Sequence, residues 1–515
     1  MINSGGASNR DGGATSLYGE EYVSVIAKGA GTIFTGNVLN IGLRYLFQII
    51  VARHLGVELY GIFTLGLAVF SVSEMVAALG LHKGMVRFVS LYNREGDLGR
   101  VKGTVLTAIF LSCGGGIAAM LLLIAISGLV AGNVFHTPGL SKALAIFALG
   151  IPFSSLTTVF IFATQGLRIM KYKVFVKDLW EMLSRVVLVI LLFMVGWRLF
   201  GAVAAFCLSI ISGTFFSYYF FRKAFASIFE SKERAILEPK KLMGFCWPLI
   251  LADGFNLMEA WVSTFMLGFL ETPESVGIFG AAFRTSLLIQ GILMSFNAIF
   301  SPIIAEQFHK KELARLKMLF KMVTRWIFSL SLPVAVLMIF FSREILTIFG
   351  QGFSDGAVVL AVLAGGQIIN SFTGPLGVMI DMSGRSKFTL LNSVFHLSLQ
   401  TGLCLVLIPR YGVLGAAIAK TVSIAFLRII RLIQVHLIFR FYPFQARVLK
   451  PAAAAVAGLL VLTALHGFIR WADSVFFLFL GSAIFAAAYV GVLFLFGFDR
   501  EDIMLFNKIR AKFVF

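Results

Sequence analysis

Charge is scarce in this chain. Only 13% of its 515 residues are Asp, Glu, Lys or Arg, and 59% are hydrophobic. Soluble chains carry about 25% charge, so a water-soluble enzyme or binding domain is excluded. Cysteine is scarce too. Cys113, Cys207, Cys246 and Cys404 fall in or beside apolar runs, with no metal-ligand spacing and no disulfide framework. Nucleotide and metal motifs are missing. Gly415-Ala416-Ala417-Ile418-Ala419-Lys420-Thr421 ends like a phosphate-binding loop, but it lacks the second glycine and lies in an apolar run. No HExxH and no strand-associated GxGxxG is present. The chain is therefore expected to work without a cofactor or metal, and not as an enzyme. No signal peptide is visible, and the first 22 or so residues read as a short disordered tail.

What fills the chain instead is apolar runs long enough to span a bilayer as helices. About fourteen are expected: 29–51, 59–81, 103–130, 142–164, 183–197, 199–221, 244–269, 275–301, 324–349, 357–381, 389–408, 412–434, 450–469 and 474–497. The fold class is all-α integral membrane.

Net charge is +19. Nucleic acid is not the reason, because the basic residues gather in the loops of one side. With the amino-terminal tail inside, 35 of the 44 Lys and Arg residues fall in inner loops and tails, six outside (Arg53, Lys142, Arg198, Arg343, Arg410 and Arg470), and three within spans. Both termini are thus expected in the cytoplasm, of a chain in the cytoplasmic membrane. Arg185, Arg428 and Arg431 are counted among the inner loops.

The chain repeats itself. Tyr60-Gly61-Ile62-Phe63 opens an apolar helix after a short turn, and Val276-Gly277-Ile278-Phe279 does so again 216 positions on (277 − 61). Asp97–Lys102 matches Glu312–Lys317, Gly166-Leu167-Arg168 sits where Gly384-Arg385 sits, and Gly201–Ala205 matches Gly415–Ala419. Spans 1–6 and 7–12 therefore read as two six-helix bundles. An even span number gives them parallel topology and a pseudo-twofold axis along the membrane normal. The expected division is a polar tail (1–28), an N-lobe (29–221), a cytoplasmic linker (222–243), a C-lobe (244–434), and spans 13–14 with a tail (435–515).

Ionisable residues inside spans are expensive and mark function. Arg44, Glu74, Asp253, Glu259, Arg284 and Lys420 are such residues, and Asp381 lies nearer a helix end. Asn37, Asn40, Arg44 and Gln48 are spaced 3, 4 and 4 apart, so they form one polar stripe. Asp253, Asn256, Glu259 and Ser263 form a looser one; Gln367, Asn370, Gly374 and Asp381, and Asn392, His396 and Gln400, form two more. Four stripes imply a hydrated central cavity. The alternative is hydrogen bonding within a closed bundle, or ion pairs of Arg44 with Glu74 and Arg284 with Glu259.

The runs Ala52–Phe63 (ARHLGVELYGIF), Leu79–Phe88 (LGLHKGMVRF) and Ile408–Ser423 (IPRYGVLGAAIAKTVS) resemble the polysaccharide-biosynthesis flippases of the multidrug/oligosaccharidyl-lipid/polysaccharide exporter superfamily. The resemblance spans about residues 25–500. It implies a two-lobe transporter with a cationic cavity, moving a polyprenyl-pyrophosphate-linked glycan between leaflets by alternating access. Proton or sodium is the implied coupling ion. On this reading Arg44, Arg284 and Lys420 hold the pyrophosphate, with Asn37, Asn40 and Gln48 as further substrate contacts. Glu74, Asp253 and Glu259 are the coupling candidates. A drug/cation antiporter of the same superfamily is the nearest alternative. A membrane-embedded glycan polymerase or ligase is a more distant one, because the long outer loop of those enzymes is absent.

Overall fold

The computed structural model describes residues 11–468 and 474–497. Among them every regular element is helical: α1 (Asp11–Ala78), α2 (Leu81–Glu95), α3 (Leu98–Leu129), α4 (Gly139–Leu149), α5 (Ile151–Gly166), α6 (Lys171–Lys173), α7 (Glu181–Met194), α8 (Leu199–Glu230), α9 (Pro239–Leu270), α10 (Pro273–His309), α11 (Leu313–Phe340), α12 (Ser342–Thr347), α13 (Ala357–Phe372), α14 (Leu376–Met382), α15 (Ser386–Phe439), α16 (Leu449–Phe468) and α17 (Ser474–Leu495), with short π and 3-10 turns between some of them. Among the described residues, ten helical stretches are long and apolar enough to cross a membrane. This is a multi-pass membrane protein.

Two of the long helices fold back on themselves. In α1 the bend is at Gly56, whose φ of 76° is a left-handed conformation that glycine adopts without a Cβ clash. Phe47 and Phe63 lie 6.2 Å apart between ring centroids, where a straight helix would separate sixteen residues by about 24 Å. In α15 the bend is at Gly412. There Asn392 and Gln434, on opposite arms, exchange hydrogen bonds of 2.8 and 2.9 Å. Most of the expected segments fall on one helix or on one arm of a helix, but 142–164, 324–349 and 357–381 each run across two, α4 and α5, α11 and α12, and α13 and α14. Some limits move. Helix α1 begins at Asp11, inside the stretch expected to be a disordered tail; residues 1–10 and 498–515 lie outside the described residues. The fifth segment runs from Lys171 to Met194 through a π turn at Val174–Trp180.

The connector between the halves is also shorter than expected. Phe221, Phe225 and Ile228 are buried at helical spacing, so α8 continues past Arg222 and Lys223 to Glu230. Only Ser231–Glu238 is extended. That strip lies over the start of α3. Gly99 N donates to Glu233 Oε2 (2.6 Å), Ile236 N to Gly99 O (3.0 Å), and Lys102 Nζ to Ser231 O (2.6 Å) and Glu233 O (3.2 Å). A Cβ on Gly103 would overlap Ile236 O, so glycine lets the strip lie flat.

The repeat is visible in the backbone. Positive-φ residues recur 215 or 216 positions apart: Gly96 and Lys311, His136 and Gly352, Arg168 and Gly384, Gly196 and Gly412. Each is a point where a helix ends or bends, so both six-helix bundles turn at the same places. Helices α16 and α17 pack on each other beside α11.

Apolar packing divides the molecule into two ends. At the end carrying the Gly56 and Glu271 turns, one continuous core joins both bundles: Phe63, Phe147 and Phe206 share it with Val276, Phe279, Phe349 and Leu360. At the other end, which carries the basic loops, there are two separate cores. One holds Met85, Val89, Val105 and Phe225, with Leu242 and Cys246 of α9. The other holds Ile304, Phe320, Met379 and Val435. The bundles are therefore closed at the turn end and parted at the basic end except where the start of α9 packs on α2. Phe110, Leu121 and Leu122 of α3 are exposed, as befits a lipid-facing helix.

Candidate functional site

Two cavities meet at Trp261, Arg284 and Leu287: the smaller lies between the bundles and the larger lies within the C-lobe. The smaller, about 420 Å³, is walled by α1, α7, α8 and the junction residues. Arg44, Gln48, Glu74 and Arg185 line it. The larger, about 640 Å³, belongs to α9, α10, α13, α14 and α15, with Glu259, Gln290, Asp381, His396, Lys420 and Arg431 among its lining.

The α1 stripe forms the wall of the smaller cavity. Arg44 Nε donates to Asn40 Oδ1 (2.6 Å), and Asn40 Nδ2 donates to Asp178 O (2.9 Å) and Oδ1 (3.2 Å). Gln48 Oε1 accepts from the Tyr60 hydroxyl at 2.9 Å. The Asn37 side chain lies outside the described residues. Tyr45 and Thr285 hydroxyls, 3.1 Å apart, tie this wall to α10. Arg284 lies across the Trp261 ring, 5.1 Å from guanidinium carbon to centroid. Neither anticipated ion pair forms. Glu74 instead accepts from the Ser154 hydroxyl, and Glu259 faces His396. Among the described residues, no carboxylate pairs with Arg44 or Arg284.

Arg185 is one of three cavity residues that sequence reasoning missed. Counted as loop, it lies in α7, buried on the Phe206 ring at 4.3 Å, with Nε donating to Ser209 Oγ at 3.1 Å. Its signal was available: Lys177, Glu181 and Arg185 follow each other at four-residue spacing on a helix. Lys177 and Glu181 are indeed paired at 3.4 Å.

In the larger cavity, His396 Nδ1 lies 3.0 Å from Glu259 Oε1, a close contact rather than an aligned hydrogen bond. Lys420 Nζ donates to Glu259 O at 3.2 Å and sits 4.8 Å from the Phe283 centroid. Asn370 Nδ2 donates to Gln367 Oε1 at 3.0 Å. Gln400 turns away from the cavity, its Nε2 donating to Ser263 Oγ at 2.9 Å, and Asn392 is occupied by Gln434. Asp381 lines the cavity and accepts from Thr389 at 2.5 Å. Arg428 and Arg431, also counted as loop residues, line it too.

Asp253 is in neither cavity. It accepts from Lys83 Nζ at 2.6 Å, and His82 Nε2 is 3.4 Å away. Together they join α2 of one bundle to α9 of the other at the basic end. The stripe argument put Asp253 with Glu259, but its polar neighbour is a lysine supplied by the other bundle.

Taken together, the cavities are lined by six cations (Arg44, Arg185, Arg284, Lys420, Arg428 and Arg431) and three carboxylates (Glu74, Glu259 and Asp381). Such a lining attracts anions. A profile of the family described as polysaccharide biosynthesis protein matches residues 26–308, and a MatE profile matches residues 248–406. An uncharacterized membrane protein of Methanocaldococcus jannaschii, MJ1375, is 23% identical over 76% of this chain and 93% of its own length. The probable low-salt glycan biosynthesis flippase Agl15 of Haloferax volcanii is 22% identical over 47% of this chain and 51% of its own. Among solved structures, the lipid II flippase MurJ in an inward closed conformation superposes with a TM-score of 0.71 at 14% identity, covering 92% of this chain and 98% of that one. That likeness is one of fold.

Proposed function

The chain belongs to the polysaccharide biosynthesis protein family, and on that premise we propose that it is a flippase for a polyprenyl-pyrophosphate-linked oligosaccharide, working by alternating access. One observation carries this reading: two cavities that share Trp261, Arg284 and Leu287 are lined by cations of both bundles, six against three carboxylates. A diphosphate leaving water needs charged or N–H partners, and arginine offers a planar fork that stays charged. Arg44 and Arg284 would hold the diphosphate, one from each bundle, with Lys420 next along the path. With both termini cytoplasmic, the parted end faces the cytoplasm and the shared core seals the outer side. The isoprenoid tail would stay in lipid while the sugar crosses in the cavity.

Glu259, facing His396, is the best-placed coupling residue, because a carboxylate and an imidazole can share a proton at the cavity wall. Glu74 is a second candidate. A cation antiporter would want a net acidic cavity, and the excess of cations weighs against it. The test is reconstitution into liposomes with a panel of lipid-linked glycans and, separately, organic cations. Transfer of glycan lipid to the outer leaflet is expected, and Glu259→Gln should bind the lipid yet lose stimulation by an ion gradient. Cation exchange without glycan transfer would overturn the reading.

A further inference from the structure

Helix α15 presents a second cationic face that the diphosphate site does not use. Lys420 and Arg431 are eleven residues apart, close to three helical turns, so they share one face and lie about 16 Å apart along the axis. Ile424, Leu427 and Arg428 fall between them, and all five line the larger cavity. Lys420 is engaged by Glu259 O and the Phe283 ring. Arg428 gives one N–H to Gly374 O at 3.3 Å, while its buried Nε has no partner. Arg431 has neither a hydrogen-bond nor a carboxylate partner among the described residues. Its Nη1 lies 3.2 Å from where a Cβ on Gly377 would be, so the missing side chain leaves its place open. The cavity's own acids are occupied: Asp381 by Thr389, and Glu259 by His396. Glu259 acts through space on both guanidinium groups and Asp381 on Arg431, but neither carboxylate makes an ion pair with them, and guanidinium N–H groups left without hydrogen-bond partners inside a membrane protein are costly.

We propose that Arg428 and Arg431 form a second anion subsite, for a negatively charged substituent on the glycan, so that the cargo is an acidic rather than a neutral oligosaccharide. This rests on the flippase reading and adds the sugar class to it. Between the two subsites the cavity offers Trp261, Gln290, Asn297, Gln367 and Asn370. Amides and an aromatic face are the chemistry that binds sugar hydroxyls and ring faces.

The probes are two short-chain polyprenyl diphosphates, one carrying a neutral disaccharide and one the same disaccharide with a glucuronic acid at its far end. Affinity is measured on purified protein in detergent. The acidic ligand should bind about tenfold tighter, as one charge-assisted hydrogen-bonded pair provides. Arg431→Gln should abolish that preference and Arg431→Lys should keep part of it, each checked for folding by its melting temperature. On the unmodified protein, free glucuronate should weaken the acidic ligand only. Equal affinities for the two ligands would overturn the subsite. So would an equal loss of both in Arg431→Gln, because the arginine would then be holding the diphosphate common to both. If neither ligand binds, it is the flippase reading that fails, and the subsite falls with it.

Discussion

Gly61 and Gly277 hold equivalent places in the two bundles, and each lies against the backbone that leads into the other. A Cβ on Gly61 would overlap Pro273 O, and one on Gly277 would overlap Val57 O. The contact is reciprocal because Pro273 is the repeat partner of Val57, at the same 216-residue offset (273 − 57). Small residues are what allow two membrane helices to approach this closely.

This contact seals the turn end. Gly61→Val should cost the closed arrangement about 1–3 kcal/mol through overpacking. Glu58→Cys and Glu274→Cys are exposed sites flanking the contact and can carry spin labels. Their distance distribution should broaden to longer values in Gly61→Val. An unchanged distribution would show that this contact does not hold the end shut.

The diphosphate grip is tested by loss and by failure of rescue. Arg284→Ala should weaken binding of a polyprenyl diphosphate by tens of fold, since a hydrogen bond to a charged group contributes about 1.5–3 kcal/mol. Arg44→Ala should do likewise. Glu74 is bonded to Ser154 and not to Arg44, so adding Glu74→Gln should restore nothing. Recovery of binding in the double variant would mean that Arg44 serves as a structural charge partner.

Lys83 and Asp253 tie the bundles at the basic end, beside the packing of α2 on Leu242 and Cys246 of α9. If this pair is a latch that forms and breaks as the lobes rock, Asp253→Lys and Lys83→Asp should each impair transport and their combination should recover it. The pair is partly exposed, so the coupling energy should be only about 1 kcal/mol. A double variant no better than either single one would remove the latch.

The connector strip carries an acid-sensitive tie. The Tyr92 hydroxyl donates to Glu238 Oε2 at 2.6 Å, and this bond, helped by Lys241 and Arg100, holds the Glu238 carboxyl below its usual range. A carboxyl whose folded value is depressed adds stability above its unfolded value, near 4.3, and loses it as pH falls through the folded value. Protease cutting within Ser231–Glu238 should thus be slow at neutral pH and rise only below about pH 4.3. Tyr92→Phe should raise cutting at neutral pH and flatten its acid dependence. Identical pH profiles in the two proteins would free Glu238 of this role.

The sequence by itself determined the class, the segments and the repeat. These are local or periodic properties: apolar runs set by bilayer thickness, glycine at bends, and matching strings near one offset. It also determined that Arg44, Glu74, Glu259, Arg284 and Lys420 would be informative, because a charge in an apolar run needs a reason. Tertiary structure decided which of them meet. Arg44 and Arg284 share one cavity, Lys420 and Glu259 another, and Asp253 left both for Lys83, a residue of the other bundle. Arg428 and Arg431 were out of reach, and Arg185 was passed over, for one physical reason. Basic residues near span ends read as solvated loop charge, and only the length of the real helices and the rings packed around them turn three such residues into the wall of a cavity.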